Sequence, residues 1–283
     1  MADDLSGVSG VLFRKDFMPK KDNPFYLGLM SDWHLGSDYT DYGRLKEELD
    51  ILKEKNARIH VNSDVFDCIF PRDFRFMPSV PVPEIRGDDY MADATIDYAS
   101  NFLEPYADNI DVLSMGNHEY SLASHGASTN MIARLINRYP HIRQGEYQGY
   151  LTYRFKYPKG GGVKDLTTFW SHGKSGNTPV TKGVIDYSRW SADIEGFDIL
   201  TSGHNHEKFA LPHDCFRKDG VGNPARRNQK WVKTGSYLSY KKGNYGARSG
   251  MSLKPKGGYL IKFWFSGSDN CHKNISTREI IPR

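Results

Sequence analysis

Cysteine is scarce in this chain: Cys68, Cys215 and Cys271 are three in 283 residues, odd in number and without metal-like spacing. That argues against a disulfide framework and fits a reducing compartment. Long apolar runs are missing too. No stretch approaches the roughly 20 apolar residues that span a bilayer. Met1 to Lys20 holds no uninterrupted apolar segment behind a basic start, so no secretory signal is expected. Strong charge of one sign is also lacking. The formal net charge of +4 admits an anionic partner without requiring one, because strongly basic binders concentrate their cations in a patch. No internal repeat and no low-complexity linker divides the chain. What remains is the composition of a soluble globular protein, 38% hydrophobic and 25% charged. A chain this long buries roughly 75% of its unfolded surface without staples. The expectation is one soluble, cytoplasmic domain over residues 1–283, with no membrane partner.

Strand-like and helix-like patterns alternate. Phe25 to Met30 is a short apolar run. Tyr42 to Asn56 carries Leu45, Leu49 and Leu52 at helical spacing. Arg58 to Val61 reads as a strand, Tyr90 to Ala107 as a helix and Ile110 to Leu113 as a strand. Ser128 to Tyr139 is expected to be helical, Tyr150 to Tyr157 and Thr167 to Trp170 extended, Gly183 to Glu195 helical and Asp198 to Thr201 extended. From Lys208 onward the pattern is strand-rich, with Lys230 to Lys233, Tyr259 to Phe265 and Ile275 to Ile281 foremost. Pro71 to Asp89, with Pro71, Pro78, Pro81 and Pro83, reads as an inserted loop at about 70–89, and Gly160 to Gly162 as a hairpin tip. The order predicts an α/β sandwich with sheets at its centre. The core spans about 22–240. Open sheets of this class bind ligands on loops at the carboxyl ends of strands.

Five fragments stand where strand patterns stop: Asp32-Trp33-His34, Asp64-Val65-Phe66-Asp67, Gly116-Asn117-His118-Glu119, Ser171-His172-Gly173 and Gly203-His204-Asn205-His206. They offer carboxylates, imidazoles and a carboxamide but no thiolate, a donor set for divalent metals bound through nitrogen and oxygen. Asp32 and His34, two residues apart, share a side if extended. Gly116 permits a tight turn ahead of Asn117 and His118. Taken singly, each fragment is weak: Asp-x-His arises by chance, and Asp64 alone reads as a solvated turn carboxylate. Order and context carry the signal.

In that order the fragments resemble the calcineurin-like metallophosphoesterase superfamily, whose pattern is D-x-H, G-D-x-x-D, G-N-H-D/E, a later H, then G-H-x-H. The match covers Asp32 to His206, about two-thirds of the chain. The resemblance implies a four-layer α/β/β/α sandwich with mixed β-sheets. It implies one metal held by Asp32, His34 and His206, a second by Asn117, His172 and His204, and Asp64 bridging both. His118 would face the substrate and protonate the leaving oxygen or stabilise the phosphoryl group, while Asp67 would accept from His118 and orient it. Two divalent ions about 3.5–4 Å apart activate water and clamp the phosphoryl oxygens for in-line attack. Manganese, iron and zinc all suit the donors, with manganese favoured. One departure is visible: Ser63 stands where the family has glycine before the bridging Asp64, with consequences for loop geometry or substrate access.

The first motif is similar to that of nuclease-like and small phosphodiesterase branches. Protein phosphatases of the superfamily carry arginines where this chain has Cys68 and Met115, which disfavours that class. The expected activity is therefore phosphodiester hydrolysis, with nucleic acid or nucleotides among the candidate substrates. Two alternatives stay open: a phosphomonoesterase acting on a nucleotide or sugar phosphate, and a non-catalytic binding module that kept the fold. Retention of His118 and of every expected ligand argues against the latter. Arg72, Phe74, Arg75 and Phe76, and a later stretch holding Lys241, Lys242, Tyr245, Arg248, Lys254 and Lys256, interleave cations with aromatics as nucleic-acid binders do. The favoured reading is nonetheless of surface loops whose aromatics pack underneath. His60, His141, His213 and His272 fall outside the pattern. His125, on the loop after Glu119, is a candidate substrate contact. Glu119 suits a structural bond as well as a catalytic one.

Overall fold

The computed structural model describes residues 7–124, 129–157, 162–174, 180–218, 221–241, 250, 252–267 and 272–282. His125, most of the Gly160–Gly162 tip and Lys242, Tyr245 and Arg248 lie outside them.

Two six-stranded mixed sheets form the centre. The first runs β1 (Val8–Lys15), β6 (Gln148–Lys156), β7 (Val163–Ser171), β8 (Ile199–Ser202), β10 (Pro224–Lys233) and β9 (Phe209–Lys218). The second runs β12 (His272–Glu279), β11 (Tyr259–Ser266), β2 (Phe25–Met30), β3 (Arg58–Val61), β4 (Ile110–Ser114) and β5 (Arg143–Gly145). Strands β2 to β5 are mutually parallel, as are β7, β8 and β10. Each set therefore ends its strands along one edge.

Strand periodicity of two sorts the side chains into layers. Leu27, Leu29, Val112, Ile261 and Phe263 of one sheet meet Leu151, Tyr153, Phe155, Ile199 and Val232 of the other in a core between the sheets. The opposite faces carry helices. Against the second sheet, Met30, Ile59, Val61 and Leu113 pack on α1 (Tyr42–Glu54), α2 (Met91–Leu103) and α4 (Met131–Ile136). On the first sheet, Phe169, Leu200 and Trp231 pack on Tyr187 and Trp190 of α5 (Val184–Asp193). The layering is thus the α/β/β/α sandwich. Gly28 of β2 lets α1 lie close, since a Cβ there would stand 2.7 Å from Leu52 Cδ1.

Differences from the sequence reading have local causes. The helix expected to reach Ala107 gives way at Glu104–Asn109 to a 3-10 segment, with Pro105 in its first turn. The helix expected from Ser128 starts at Met131, where the Asn130 side chain caps it by accepting from Ala133 N at 2.8 Å. β1 and β9, both sheet edges, were not singled out. β9 contains Pro212, which an edge strand tolerates. The segment between β3 and α2, the predicted insertion, forms turns with no regular element. Among the described residues no helix is long and apolar enough to cross a membrane.

Candidate metal centre

Strands β2, β3 and β4 of one sheet and β7 and β8 of the other deliver the five fragments at their carboxyl ends. The first two loops run side by side: Asp32 N donates to Ser63 O at 3.0 Å, His34 N to Asp64 O at 3.1 Å and Leu35 N to Val65 O at 2.8 Å. Across the gap between sheets, His204 N donates to Asp32 Oδ1 and Oδ2, each at 3.1 Å.

Three groups of side chains converge closely enough for each to grip an ion: Asp32, His34 and His206; Asp64, His172 and His204; and His34, Asp64 and His118. Within each group the donor atoms lie within 4.8 Å of one another. The Asn117 carboxamide joins the second group, with Oδ1 2.7 Å from His172 Nε2. Asp64 stands between the imidazole sets, with Oδ2 3.7 Å from His172 Nε2.

The backbone under these residues is unusual. Of the eight non-glycine residues with positive φ among the described residues, five are Asp32, His34, Asp64, His204 and His206, with φ between 42° and 71°. Asp32 and His34 thus converge through left-handed backbone rather than through an extended strand. Such conformations are disfavoured for side chains with a Cβ and concentrate at functional sites. Gly116 serves space rather than turning: a Cβ there would stand 1.9 Å from Asp64 Oδ1. Gly203 plays the same part for the other carboxylate, 2.3 Å from Asp32 Oδ2.

The donor chemistry fits divalent cations. His34 is buried, its Nδ1 donates to Asp67 Oδ1 at 3.2 Å, and its Nε2 has no hydrogen-bond partner. A metal ligand whose other ring nitrogen is held by a carboxylate has this pattern. Burial and the neighbouring His206 push the His34 pKa down to about 3, keeping the Nε2 lone pair free. Burial and the His204 ring likewise push His172 down. Burial, reinforced by Glu119 and Asp32, pushes the Asp64 carboxyl well up. Burial acts on Asp32 in the same sense, but His206, His172 and His34 outweigh it and hold that carboxyl well below its usual range. Crowded buried carboxylates among neutral imidazoles form a pocket that a divalent cation would neutralise.

Asp67 divides its labour. Its carboxylate serves His34, whereas its main-chain carbonyl accepts from His118 Nδ1; the Asp67 Oδ1 to His118 Nδ1 distance is 3.8 Å. The expected carboxylate–His118 bond is therefore replaced by a backbone one. His118 carries its proton on Nδ1 and presents Nε2 to the cavity, 3.4 Å from the Arg75 guanidinium. Burial and His34 push the His118 pKa down to about 3. Glu119 is structural: its carboxylate accepts from Phe66 N and Gly116 N, both at 2.8 Å, joining the second fragment to the third. Ser63 turns away from the site, its hydroxyl donating to Asn62 Oδ1 at 3.1 Å.

Two features were not foreseen. Arg75, grouped with the cations of the inserted loop, reaches the centre itself, its guanidinium paired to Asp73 at 2.7 Å. A sixth loop, following β10, clamps Asp32: Tyr237 N donates to Asp32 O at 3.1 Å, Ser236 Oγ to the same oxygen at 3.3 Å, and Thr234 Oγ1 lies 2.6 Å from Ser31 Oγ. That loop offers no titratable group at the contact and spans some 200 residues of sequence separation, so no spacing signal announced it. The remaining histidines are placed without reference to the metals. His60 Nε2 lies 3.2 Å from Ser114 Oγ, His141 Nε2 donates to Ala107 O at 2.8 Å, His213 stacks on Trp231, and His272 is exposed at the start of β12.

No family model matches the chain, and no curated protein does. Among solved structures the chain is similar to the calcineurin-like phosphoesterase YfkN from Bacillus subtilis, at 11% identity over 91% of each chain with a TM-score of 0.44. It is similar to a metallophosphoesterase from Sphaerobacter thermophilus at 10% identity over 92% of this chain and 90% of that one, TM-score 0.37. Wild-type Vps29 complexed with Zn²⁺ from Entamoeba histolytica is a further match, at 12% identity over 91% of this chain and 100% of that one, TM-score 0.34. Likeness at this level is distant, and the chemistry of the site rests on its own residues.

Proposed function

We propose that the protein is a metal-dependent phosphodiesterase working with two divalent cations, manganese foremost. The observation that carries the reading is the convergence of two groups of one aspartate and two histidines each, Asp32 with His34 and His206 and Asp64 with His172 and His204, with the buried His34 Nε2 bare. Asp32, His34 and His206 would hold one cation and Asn117, His172 and His204 the other, with Asp64 shared. Bound there, the cations would supply Lewis-acid activation of water and neutralise charge on the phosphoryl oxygens.

The chain's own residues do the rest. Asp67 aims His34 through its carboxylate and His118 through its carbonyl. The Arg75 guanidinium, held on Asp73 through Nε and Nη2, stands with Nη1 beside His118 Nε2, where it would meet a phosphoryl oxygen. A phosphoester anion seated beside His118 Nε2 opposes the burial that keeps the imidazole neutral, and the proton gained at Nε2 passes to the leaving oxygen.

The test is hydrolysis of an aryl phosphodiester with added manganese, run beside the matching monoester. A folded sample inert with every divalent metal ends the reading, and preference for the monoester moves it to phosphomonoesterase. His118→Ala should keep both metals by calorimetry while lowering kcat by about 10²–10⁴.

A further inference from the structure

The metal centre forms one end of a cavity of about 430 Å³, within the roughly 300–1,000 Å³ range of small-molecule sites. Its lining also holds a set of apolar side chains: Phe74 and Val80 of the inserted loop, and Leu238, Leu253 and Pro255 from the chain after β10. Phe74 is 88% exposed and Leu253 76% exposed, so two large hydrophobic side chains are held in water at the mouth of the cleft. Exposed apolar surface joined to a polar site marks a binding surface for an apolar group.

The cations along the same cleft are already engaged by acids. Arg75 pairs with Asp73, Lys254 with Glu207, and Lys256 with Asp41 at 2.6 Å. Binding a nucleic-acid strand relies on several cations that exchange counterions for successive phosphates. Here each described cation of the cleft has a carboxylate partner, so its charge is locally cancelled. Among the described residues the lining has the apolar content for one organic group and holds no cation without a carboxylate partner.

Resting on the phosphodiesterase reading, we infer that the substrate is a discrete phosphodiester carrying one extended apolar group, seated between Phe74 and Leu253, and not a polynucleotide strand. The phosphoryl group would sit at the metals beside Arg75, with the apolar group running along Leu238 and Pro255.

The test is a series of 4-nitrophenyl alkyl phosphates with methyl, butyl and octyl chains, assayed with manganese beside a single-stranded thymidine oligonucleotide. The nitrophenolate leaving group is constant, so chain length reports binding in the cleft. Removing a methylene from water favours binding by about 0.8 kcal/mol, so kcat/KM should rise about fourfold per buried methylene, mostly through KM. Phe74→Ala and Leu253→Ala, both at exposed positions, should flatten the rise. The oligonucleotide, whose leaving group is an alkoxide, is read as a competitor and should inhibit hydrolysis of the octyl ester less than an octyl phosphate of equal concentration does. A flat series in an active enzyme, or inhibition by the oligonucleotide as strong as that by octyl phosphate, overturns the inference and leaves the phosphodiesterase reading standing. Failure to hydrolyse any diester removes that reading and this inference with it.

Discussion

Gly116→Ala is the sharpest probe of how the centre is assembled. The added Cβ would lie 1.9 Å from Asp64 Oδ1, 2.5 Å from Asp64 N and 2.7 Å from Asp64 Cγ. Reaching ordinary contact needs a displacement of about 1.5 Å, and a shift of ~1 Å at a catalytic group costs roughly 10² in rate. Neither neighbour yields easily. The carboxylate is placed to serve both imidazole sets, and the Asp64 main chain is tied to His34 N at 3.1 Å. On the other side, Gly116 N is held by Glu119 Oε2 at 2.8 Å. Overpacking of this kind destabilises by about 1–3 kcal/mol. The expected result is a folded protein with lowered Tm, loss of at least one manganese by calorimetry, and a fall in kcat/KM of roughly 10²-fold or more. Gly10→Ala is the control, because nothing lies within 4 Å of a Cβ there. A Gly116→Ala protein that binds two manganese ions at wild-type affinity and turns over normally would refute the shared role of Asp64.

Two further outcomes test supporting contacts. Glu119→Gln leaves one acceptor for two buried N–H groups, those of Phe66 and Gly116, and should cost about 1–3 kcal/mol in urea unfolding; unchanged stability would remove the link between the two loops. Burial holds the His60 pKa down at about 3, against 6.5 in an unfolded chain. The unfolded state therefore takes up a proton there first, so the residue's contribution is complete above pH 6.5 and is lost by ~1.4 kcal/mol per unit as pH falls toward 3. His60→Gln should flatten unfolding free energy against pH between about 6.5 and 4 relative to wild type; parallel curves would contradict the assignment.

The central strands were legible because each is a short apolar run ending at a chemically distinctive residue. Arg58 to Val61 and Phe25 to Met30 match their predicted bounds. Among the edge strands β12 was legible, overlapping the expected Ile275 to Ile281, whereas β1, β5 and β9 were not. β1 shows only partial burial, and β9 is interrupted by Pro212. In the centre, ligand types and order could be read from the motifs, whereas the means of holding them could not. Main-chain acceptance at Asp67, the sixth loop around Asp32 and the reach of Arg75 depend on contacts between distant segments. Ser63 shows the converse. Its departure from the motif was visible in one residue, but its orientation toward Asn62 is decided by packing.

The left-handed backbone at five of the proposed ligands bears on how this protein would respond to selection for heat resistance. At such positions glycine is the least strained residue, and each Asp or His held there costs the apoprotein roughly 1–3 kcal/mol. His206→Gly, at a partly exposed position, gives up a ligand and relaxes the chain. A library screened for thermal tolerance alone, in chelator, would therefore drift toward glycine at these loops and grow sturdier as it lost its chemistry. Screening in the presence of manganese reverses the direction, because the bound ion rewards the strained conformer. The same five codons would then be the slowest to change.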